Sequence, residues 1–222
     1  MSGVEAVLLD LDDTICEYRR SADTILAIAF DRVGVEPFFD GRAYYETFVE
    51  HTDAGETVEK IRRAAFASLA RADDHDPATG RAIADAFAAE RDYGNVRFLP
   101  GAEDAIESLA QQYALGLVTN GGPEMQTQKL ASLGIDDRFE TTVFAGTDAA
   151  PKPAAEPFDR ALDALGVPAE RAVHVGNSLV SDVPGAQAAG LDAVWLSDGS
   201  DHGGRPDYVL DSMAALVDPP WT

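Results

Sequence analysis

The sequence predicts an α/β fold, a doubly wound parallel sheet, with an all-helical segment inserted after the first strand. From about residue 98 onward, short apolar runs alternate with helical patterns, which is typical of a parallel sheet with helices on both faces. Residues 17–95 instead show helical spacing of apolar residues. We therefore assign residues 1–16 and 96–222 to an α/β core domain and residues 17–95 to a helical domain.

The first half of the chain contains one predicted strand and four predicted helices. The apolar run Val7-Leu8-Leu9 is the strand. Helical spacing follows over residues 22–33, 42–50, 56–71 and 77–92. The fourth helix is expected to stop at Tyr93-Gly94, because glycine favours the end of a helix.

The second half supplies the rest of the predicted sheet. Helices are expected over residues 102–112, 123–133, 154–165 and 183–189, and strands over residues 114–119, 141–145, 172–175 and 193–196. A weaker strand and helix, residues 208–216, follow a glycine-rich loop at residues 197–206. The alternation predicts that these strands run parallel.

The charge balance excludes some partners. The chain carries 39 acidic and 17 basic residues, a net charge of -22, and its only lysines are Lys60, Lys129 and Lys152. This balance argues against binding a nucleic-acid polymer. It is similar to that of proteins from halophilic organisms, in which concentrated salt screens self-repulsion, so we expect instability at low salt.

The sequence gives no indication of a membrane segment or a disulfide. No apolar stretch approaches the length of a membrane span, and no basic segment followed by an apolar one opens the chain, so we expect a soluble, cytoplasmic protein. The single cysteine, Cys16, excludes an intrachain disulfide and is interpreted as a small buried apolar residue. The four histidines lack the paired spacing typical of zinc sites.

A first cluster of polar residues follows the first strand. Asp10, Asp12, Asp13 and Thr14 come directly after the apolar run. Residues i and i+2 of a strand share a face, and open α/β sheets bind ligands beyond the carboxyl ends of their strands, so Asp10 and Asp12 could converge on one ligand. The alternative is that Asp12, Asp13 or Thr14 caps a helix.

A second cluster ends the strand at residues 114–119. Thr119, Asn120 and Gly121 precede a helix that starts at Pro123. A hydroxyl and exposed N–H groups at a helix N-terminus suit an anionic phosphate. Asn-Gly and Gly-Pro are also routine turn pairs, so an ordinary turn is the alternative.

A third candidate is one of the three lysines. Lys152 stands between Pro151 and Pro153, just before a helix. The flanking prolines restrict the backbone, so the ammonium group has less freedom to lose when it is oriented. A solvated loop lysine is the alternative.

A fourth cluster follows the strand at residues 172–175. Asn177 and Asp182 flank a loop before a helix that begins near Pro184. Hard oxygen ligands around an anionic pocket are what Mg²⁺ requires. Asp182 could also cap that helix while Asn177 forms the turn.

In their order, these four clusters resemble the haloacid dehalogenase (HAD) superfamily of phosphohydrolases. The motif Asp-x-Asp-x-Thr at residues 10–14 is the most specific of them, and the resemblance covers essentially the whole chain, because the helical segment looks like that family's helical (C1-type) cap. The resemblance implies a Rossmann-like core and a Mg²⁺-dependent phosphohydrolase. The implied substrate is a small phosphate monoester, of the phosphoglycolate, nucleotide or sugar phosphate class.

The resemblance also implies roles for the catalytic residues. Asp10 would be the nucleophile that forms an aspartyl-phosphate, and Asp12 the general acid and then the base. Thr119 would hold phosphoryl oxygens, and Lys152 would neutralise charge on the nucleophile and the phosphate.

Further residues would bind the phosphate, the substrate and the metal ion. The backbone of Asn120 and Gly121, together with Thr14, would contact the phosphate, and Arg19 belongs to the region expected to select the substrate. Mg²⁺ would bind Asp10, Asp12 and the fourth cluster, through Asn177 and Asp182. Asp182 could instead orient Lys152.

One departure from the family pattern leaves alternatives open. Asn177 stands where the family more usually has an acidic residue, so metal affinity is expected to be weaker. A 2-haloacid dehalogenase shares the fold, but Asp12 speaks against it; a phosphomutase would keep Asp12. An alternative outside the enzymes is a non-catalytic phosphate-binding protein. The sequence does not predict the oligomeric state.

Overall fold

The structure is a computed structural model that describes residues 3–51, 57–197, 199 and 205–221. The chain divides into two compact units, Met1–Glu17 with Val96–Thr222 and Tyr18–Asn95. That the second unit serves as a cap domain stays a prediction. Among the described residues, none of the helices combines the length and the apolar character needed to cross a membrane.

The first unit is built on a parallel sheet. The strands of the chain are β1 (Ala6–Leu9), β2 (Cys16–Tyr18), β3 (Val96–Phe98), β4 (Ala114–Thr119), β5 (Thr141–Phe144), β6 (Ala172–Gly176), β7 (Asp192–Leu196) and β8 (Tyr208–Leu210). Six of them form one sheet in the order β5-β4-β1-β6-β7-β8, and all its neighbouring strands are parallel. The short strands β2 and β3 pair separately.

The helices are α1 (Ala22–Val33), α2 (Gly41–Glu50), α3 (Val58–Ala72), α4 (Pro77–Glu90), α5 (Ala102–Ala110), α6 (Pro123–Leu133), α7 (Glu156–Leu165) and α8 (Asp182–Ala188). The first four follow one another between β2 and β3, and the later ones alternate with strands, as the sequence predicts. Short 3-10 helices occupy Ala169–Arg171 and Met213–Val217. The six-stranded parallel sheet with its intervening helices confirms the predicted α/β fold.

Several predicted boundaries differ from the observed ones. The last predicted helix is the 3-10 turn at Met213–Val217, and most of the predicted glycine-rich loop lies outside the described residues. The predicted start of α3 at Glu56 also lies outside them. Helix α4 ends before Gly94, because Arg91 already has an extended backbone at φ -76° and ψ 107°.

Burial of the central strand explains why its sequence is uniformly apolar. All four residues of β1 are buried, and β4 and β6 pair with it on either side. A strand covered on both faces needs a continuous apolar run rather than alternation. Cys16 is buried and unpaired, which confirms its interpretation as a small buried residue.

The second unit has its own aromatic core. Tyr44, Phe66 and Phe87 pack edge to face, with ring centroids 4.9 to 5.7 Å apart. Helices α3 and α4 approach so closely that a Cβ on Gly80 would lie 2.2 Å from the carbonyl oxygen of Phe66. The side chains of four N-cap residues accept hydrogen bonds from the first turns of α1 to α4: Ser21, Asp40, Thr57 and Asp76.

The sheet order determines where a ligand can bind. The chain passes from β1 to β4 on one side and reaches β6 on the other, so β1 lies at a topological switch point. Asp10, Thr119 and Asn177 stand at the carboxyl ends of β1, β4 and β6. Ligand sites of open α/β sheets lie in this crevice.

Candidate active site

A cleft of about 200 Å³ opens at the carboxyl ends of β1, β4 and β6. Its walls contain residues from all four clusters that the sequence predicts to form a site. The lining residues are Asp10, Asp12, Asp13, Thr119, Asn120, Gly121, Lys152, Asn177, Ser178, Ser181 and Asp182. The fold therefore brings together residues that are far apart along the chain.

Lys152 joins two carboxylates at the base of this cleft. Its Nζ donates to Asp10 Oδ1 at 2.8 Å, to Asp182 Oδ1 at 2.6 Å and to the carbonyl oxygen of Val118 at 2.8 Å. The three acceptors use all three N–H groups of the ammonium. Lys152 is buried, so these bonds fix its position and it is not the solvated loop lysine of the alternative interpretation.

Burial and charge shift the pKa values of this group in different directions. Burial raises the pKa of Asp10 to about 7, against the opposing charge of Lys152. Burial would also raise the pKa of Asp182, but the hydrogen bond from His174 and the charge of Lys152 outweigh it and lower that pKa. The pKa of Lys152 is raised, because the charges of Asp10 and Asp182 overcome the effect of its burial.

Both oxygens of Asp182 are held by hydrogen bonds. Oδ1 lies 3.0 Å from His174 Nε2 in addition to Lys152, and Oδ2 accepts from the Ser178 N–H at 3.0 Å. A Cβ on Gly176 would lie 2.3 Å from Asp182 Cγ, so glycine makes room for this carboxylate. Burial lowers the pKa of His174, which favours the neutral ring.

Asn120 fixes the loop that carries Lys152. Its Oδ1 accepts from the Lys152 backbone N–H at 2.8 Å, and its Nδ2 donates to the Lys152 carbonyl oxygen at 3.1 Å. From the sequence, the backbone N–H of Asn120 is expected to bind phosphate. The structure gives its side chain the additional task of positioning the lysine.

Thr119 is oriented by its neighbours. Its Oγ1 accepts from Gln126 Nε2 at 2.7 Å and from the Gly121 N–H at 3.2 Å. A hydroxyl that accepts two bonds still has its own proton to donate, for example to an anionic oxygen. The Gly121 N–H, which the sequence predicts to bind phosphate, donates to Thr119 within the loop.

Asp12 is bound by two residues of α6. Its Oδ2 accepts from Gln126 Nε2 at 2.8 Å, and its Oδ1 forms an ion pair with Lys129. Gln126 and Lys129 were assigned no role from the sequence. The signals that could have found them are the scarcity of lysine and the i, i+3 spacing of the two residues on the helix after Thr119.

Two residues predicted to contact the substrate, Thr14 and Arg19, do not line the cleft. Thr14 is fully buried, and its hydroxyl donates to Asn177 Oδ1 at 3.4 Å, so it supports Asn177 from behind the cleft. The backbone carbonyl of Asn177 accepts from Trp195 Nε1 at 2.9 Å. Arg19 belongs to the second unit, where its N–H donates to the Asn95 carbonyl oxygen at 3.0 Å. Their predicted contacts with substrate stay predictions.

The oxygen atoms around the cleft fit a hard cation. Within the described residues, no three His, Cys, Asp or Glu side chains are grouped so that they could hold a metal ion. Mg²⁺ needs fewer, because it keeps several waters and binds through one or two carboxylates. Asp10, a backbone carbonyl at Asp12 and the Asn177 amide oxygen are donors of the right chemistry, and a cation would favour the charged form of Asp10 that burial disfavours.

Comparison with known proteins identifies the family. The family model "haloacid dehalogenase-like hydrolase" matches residues 4–190. The chain belongs to this family. The HAD match spans β1 through α8, and so includes every residue of the cleft.

Relatives and a solved structure align with this HAD chain along almost its full length. Glyceraldehyde 3-phosphate phosphatase of Pyrococcus furiosus is 28% identical, over 98% of this chain and 93% of that protein. Phosphoserine phosphatase of Thermus thermophilus is 30% identical, over 92% and 91%. The crystal structure of the HAD-hydrolase YfnB of Bacillus subtilis, bound to magnesium, has a TM-score of 0.77 and 25% identity, over 97% of each chain.

Proposed function

We propose that this HAD hydrolase is a Mg²⁺-dependent phosphatase that cleaves a small phosphate monoester through an aspartyl-phosphate intermediate. The observation that carries the proposal is the contact between Lys152 and Asp10, which places a fixed positive charge beside a buried carboxylate at the switch point of the sheet. Two relatives are named as phosphatases of glyceraldehyde 3-phosphate and phosphoserine, both small phosphate monoesters.

Charge compensation supports phosphoryl transfer at this site. A phosphate dianion would be repelled by Asp10, Asp12 and Asp182, unless positive charge offsets them. Lys152 supplies one fixed cation, and Mg²⁺, when bound at the oxygen donors of the cleft, would supply Lewis-acid stabilisation of the transferring phosphoryl group. Both act mainly by positioning and electrostatics, which is what phosphoryl transfer requires.

We assign the nucleophilic step to Asp10. Its Oδ1 is engaged by Lys152, so Oδ2 attacks phosphorus, forming the Asp10–phosphorus bond as the ester oxygen leaves. The Thr119 hydroxyl donates to a phosphoryl oxygen. Asp12 gives a proton to the leaving oxygen, then takes one from the water that attacks phosphorus, which releases phosphate and restores Asp10.

We propose that Asp182 orients Lys152 instead of binding the metal ion. Its two oxygens already serve Lys152, His174 and the Ser178 N–H. Withdrawing one of them to a metal ion would leave a buried donor unpaired. The proposed metal donors are thus Asp10, the Asp12 carbonyl and Asn177, with the amide bringing no charge to the set.

The test is phosphate release from p-nitrophenyl phosphate in KCl at about 2 M, which screens the charge of the chain. Turnover should depend on Mg²⁺, stop with EDTA, return when Mg²⁺ is added back, and disappear in Asp10→Asn. The matched control is Asp136→Asn, because Asp136 is an exposed aspartate of the same unit and should not affect turnover.

A panel of esters would then identify the substrate class: glyceraldehyde 3-phosphate, phosphoserine, phosphoglycolate, nucleoside monophosphates and sugar phosphates. Phosphate release that survives Asp10→Asn would refute the assigned nucleophile. Chloride release from 2-chloropropionate without phosphatase activity would instead establish a dehalogenase. Phosphate binding without turnover of any ester would establish a binding protein.

A further inference from the structure

The carboxylate of Asp12 is restrained on both oxygens by one face of α6. Gln126 donates to Oδ2 at 2.8 Å, and Lys129 pairs with Oδ1. The Asp12 side chain is 42% exposed, whereas that of Lys129 is 2% exposed. An aspartate so accessible would normally exchange between rotamers, and here two buried groups select one orientation.

Gln126 links Asp12 to the phosphate-binding hydroxyl. The two N–H groups of its amide serve Asp12 Oδ2 at 2.8 Å and Thr119 Oγ1 at 2.7 Å. A Cβ on Gly121 would lie 2.0 Å from Gln126 Nε2, so the glycine is needed for this approach. The fold thus places one amide between the two groups assigned to opposite ends of the scissile bond.

Stability alone is a poor explanation for these two residues. Gln126 Oε1 is buried and finds no hydrogen-bond partner among the described residues, which is unfavourable for folding. The ion pair with Lys129 also contributes little net stability, because desolvation of the buried lysine offsets the attraction. The chain nevertheless uses one of its three lysines here.

We propose that Gln126 and Lys129 are positioning residues that hold the Asp12 carboxyl group where it exchanges a proton with the leaving-group oxygen. This inference rests on the proposed phosphatase function. A general acid must come within about 3 Å of the atom that it protonates, and small misplacements are costly. Poor leaving groups need the proton most, so the role has a specific kinetic signature.

The experiment compares two substrates that differ in leaving group. Kinetic constants kcat and KM are measured for p-nitrophenyl phosphate, whose leaving group needs little protonation, and for glycerol 2-phosphate, whose alkoxide needs it. Lys129→Met and Gln126→Leu should lower kcat/KM for glycerol 2-phosphate by roughly 100-fold, because kcat/KM reports the step in which the alcohol leaves. The loss of kcat/KM for p-nitrophenyl phosphate should be smaller by a factor of at least about ten. Lys60→Met, at an exposed lysine of α3, is the matched control and should leave the kinetic constants for both substrates unchanged.

A double-mutant cycle shows whether the effect passes through Asp12. In an Asp12→Asn background, Lys129→Met should cause no further loss, because the group that it positions is already gone. If Lys129→Met fails to fold, Gly121→Ala provides the second route: its Cβ displaces Gln126 and should produce the same dependence on leaving group.

Equal losses of kcat/KM for both substrates, or losses that add to that of Asp12→Asn, would overturn the inference and leave the proposed function intact. A rise in KM that is the same for both substrates, with constant kcat, would overturn it as well. If the wild-type chain shows no Asp10-dependent turnover of either ester, the proposed function itself fails, and the inference fails with it.

Discussion

The ammonium nitrogen of Lys152 lies 2.8 Å from Asp10 Oδ1, although 142 positions of the chain separate the two residues. It lies as close, at 2.6 Å, to Asp182. Three buried charges therefore depend on one another, and the lysine is the member that keeps the two carboxylates compatible.

Replacing Lys152 should destabilise the protein in a pH-dependent way. Lys152→Met leaves Asp10 and Asp182 buried without their cation, which should cost about 3 kcal/mol of unfolding free energy near neutral pH. The carboxyl pKa values should rise in the folded variant, so it binds more protons than the unfolded chain, and its deficit should shrink as the pH falls. Urea unfolding in EDTA at about pH 8 and pH 5 measures this.

The matched control is Lys60→Met, which removes the same charge from an exposed position and should change the unfolding free energy by no more than about 0.5 kcal/mol. A Lys152→Met deficit that is absent, or that is the same at both pH values, would contradict the electrostatic account.

Adding a methyl group at Gly80 should destabilise the helical unit. Alanine is the better helix former by about 1 kcal/mol, but a Cβ at this position would lie 2.2 Å from the Phe66 carbonyl oxygen and force α3 and α4 apart. Packing should win over propensity, with a net loss of about 1 to 3 kcal/mol in urea unfolding. Ala82→Gly, at an exposed position of the same helix, reports the propensity effect alone. A Gly80→Ala variant that is more stable than the wild type would show that the helices can separate at little cost.

Cys16 should be unreactive in the folded protein. Burial raises the pKa of its thiol from 9.0 to about 12, so the reactive thiolate is rarer than in an unfolded chain at any pH below that value. At about pH 8, alkylation by iodoacetamide should be at least ~100-fold slower in the native protein than in urea. Mass spectrometry reads the adduct unambiguously, because the chain has a single cysteine. Similar rates in both conditions would mean that the site opens readily.

Salt should stabilise the chain. A net charge of -22 produces self-repulsion that counterions screen. The midpoint of thermal unfolding, Tm, should therefore rise as KCl is raised from about 0.05 to 2 M. For a chain of this size, each kcal/mol gained corresponds to about 2 to 4 °C in Tm. Glycerol is the uncharged comparison: as a neutral osmolyte it should raise Tm only gradually, without the steep response at low concentration that screening produces. A Tm that is flat or falls with KCl would show that the acidic residues are already balanced locally.

The sequence predicts those features that depend on local pattern or on strand ends. Asp10, Thr119 and Asn177 each follow an apolar strand, and parallel strands end at one edge, so their meeting could be expected. The short strands β2 and β3 could not be predicted in this way. Each has only three residues, one of them charged, which is too short to show an alternation of apolar and polar residues.

Other contacts at the site depend on distances that no local pattern encodes. Helical spacing shows that α6 is a helix, but not that Gln126 and Lys129 face Asp12. The same holds for His174. In the sequence it is a histidine within an apolar strand, and only the structure shows that its Nε2 lies 3.0 Å from Asp182 Oδ1. Such partners come from elements whose relative rotation is set by the whole core.

The position of β1 in the sheet has a consequence for biosynthesis. It leaves the ribosome before the other strands of this sheet, yet its partners begin at Ala114 on one side and Ala172 on the other. An emerging chain must therefore carry an unpaired, wholly apolar segment until both partner strands have been made, and such segments are prone to association. The helical unit, Tyr18–Asn95, has its own aromatic core and becomes available earlier. We expect it to fold first during translation, and the nucleophile Asp10 to reach its final environment only once β6 has been synthesised.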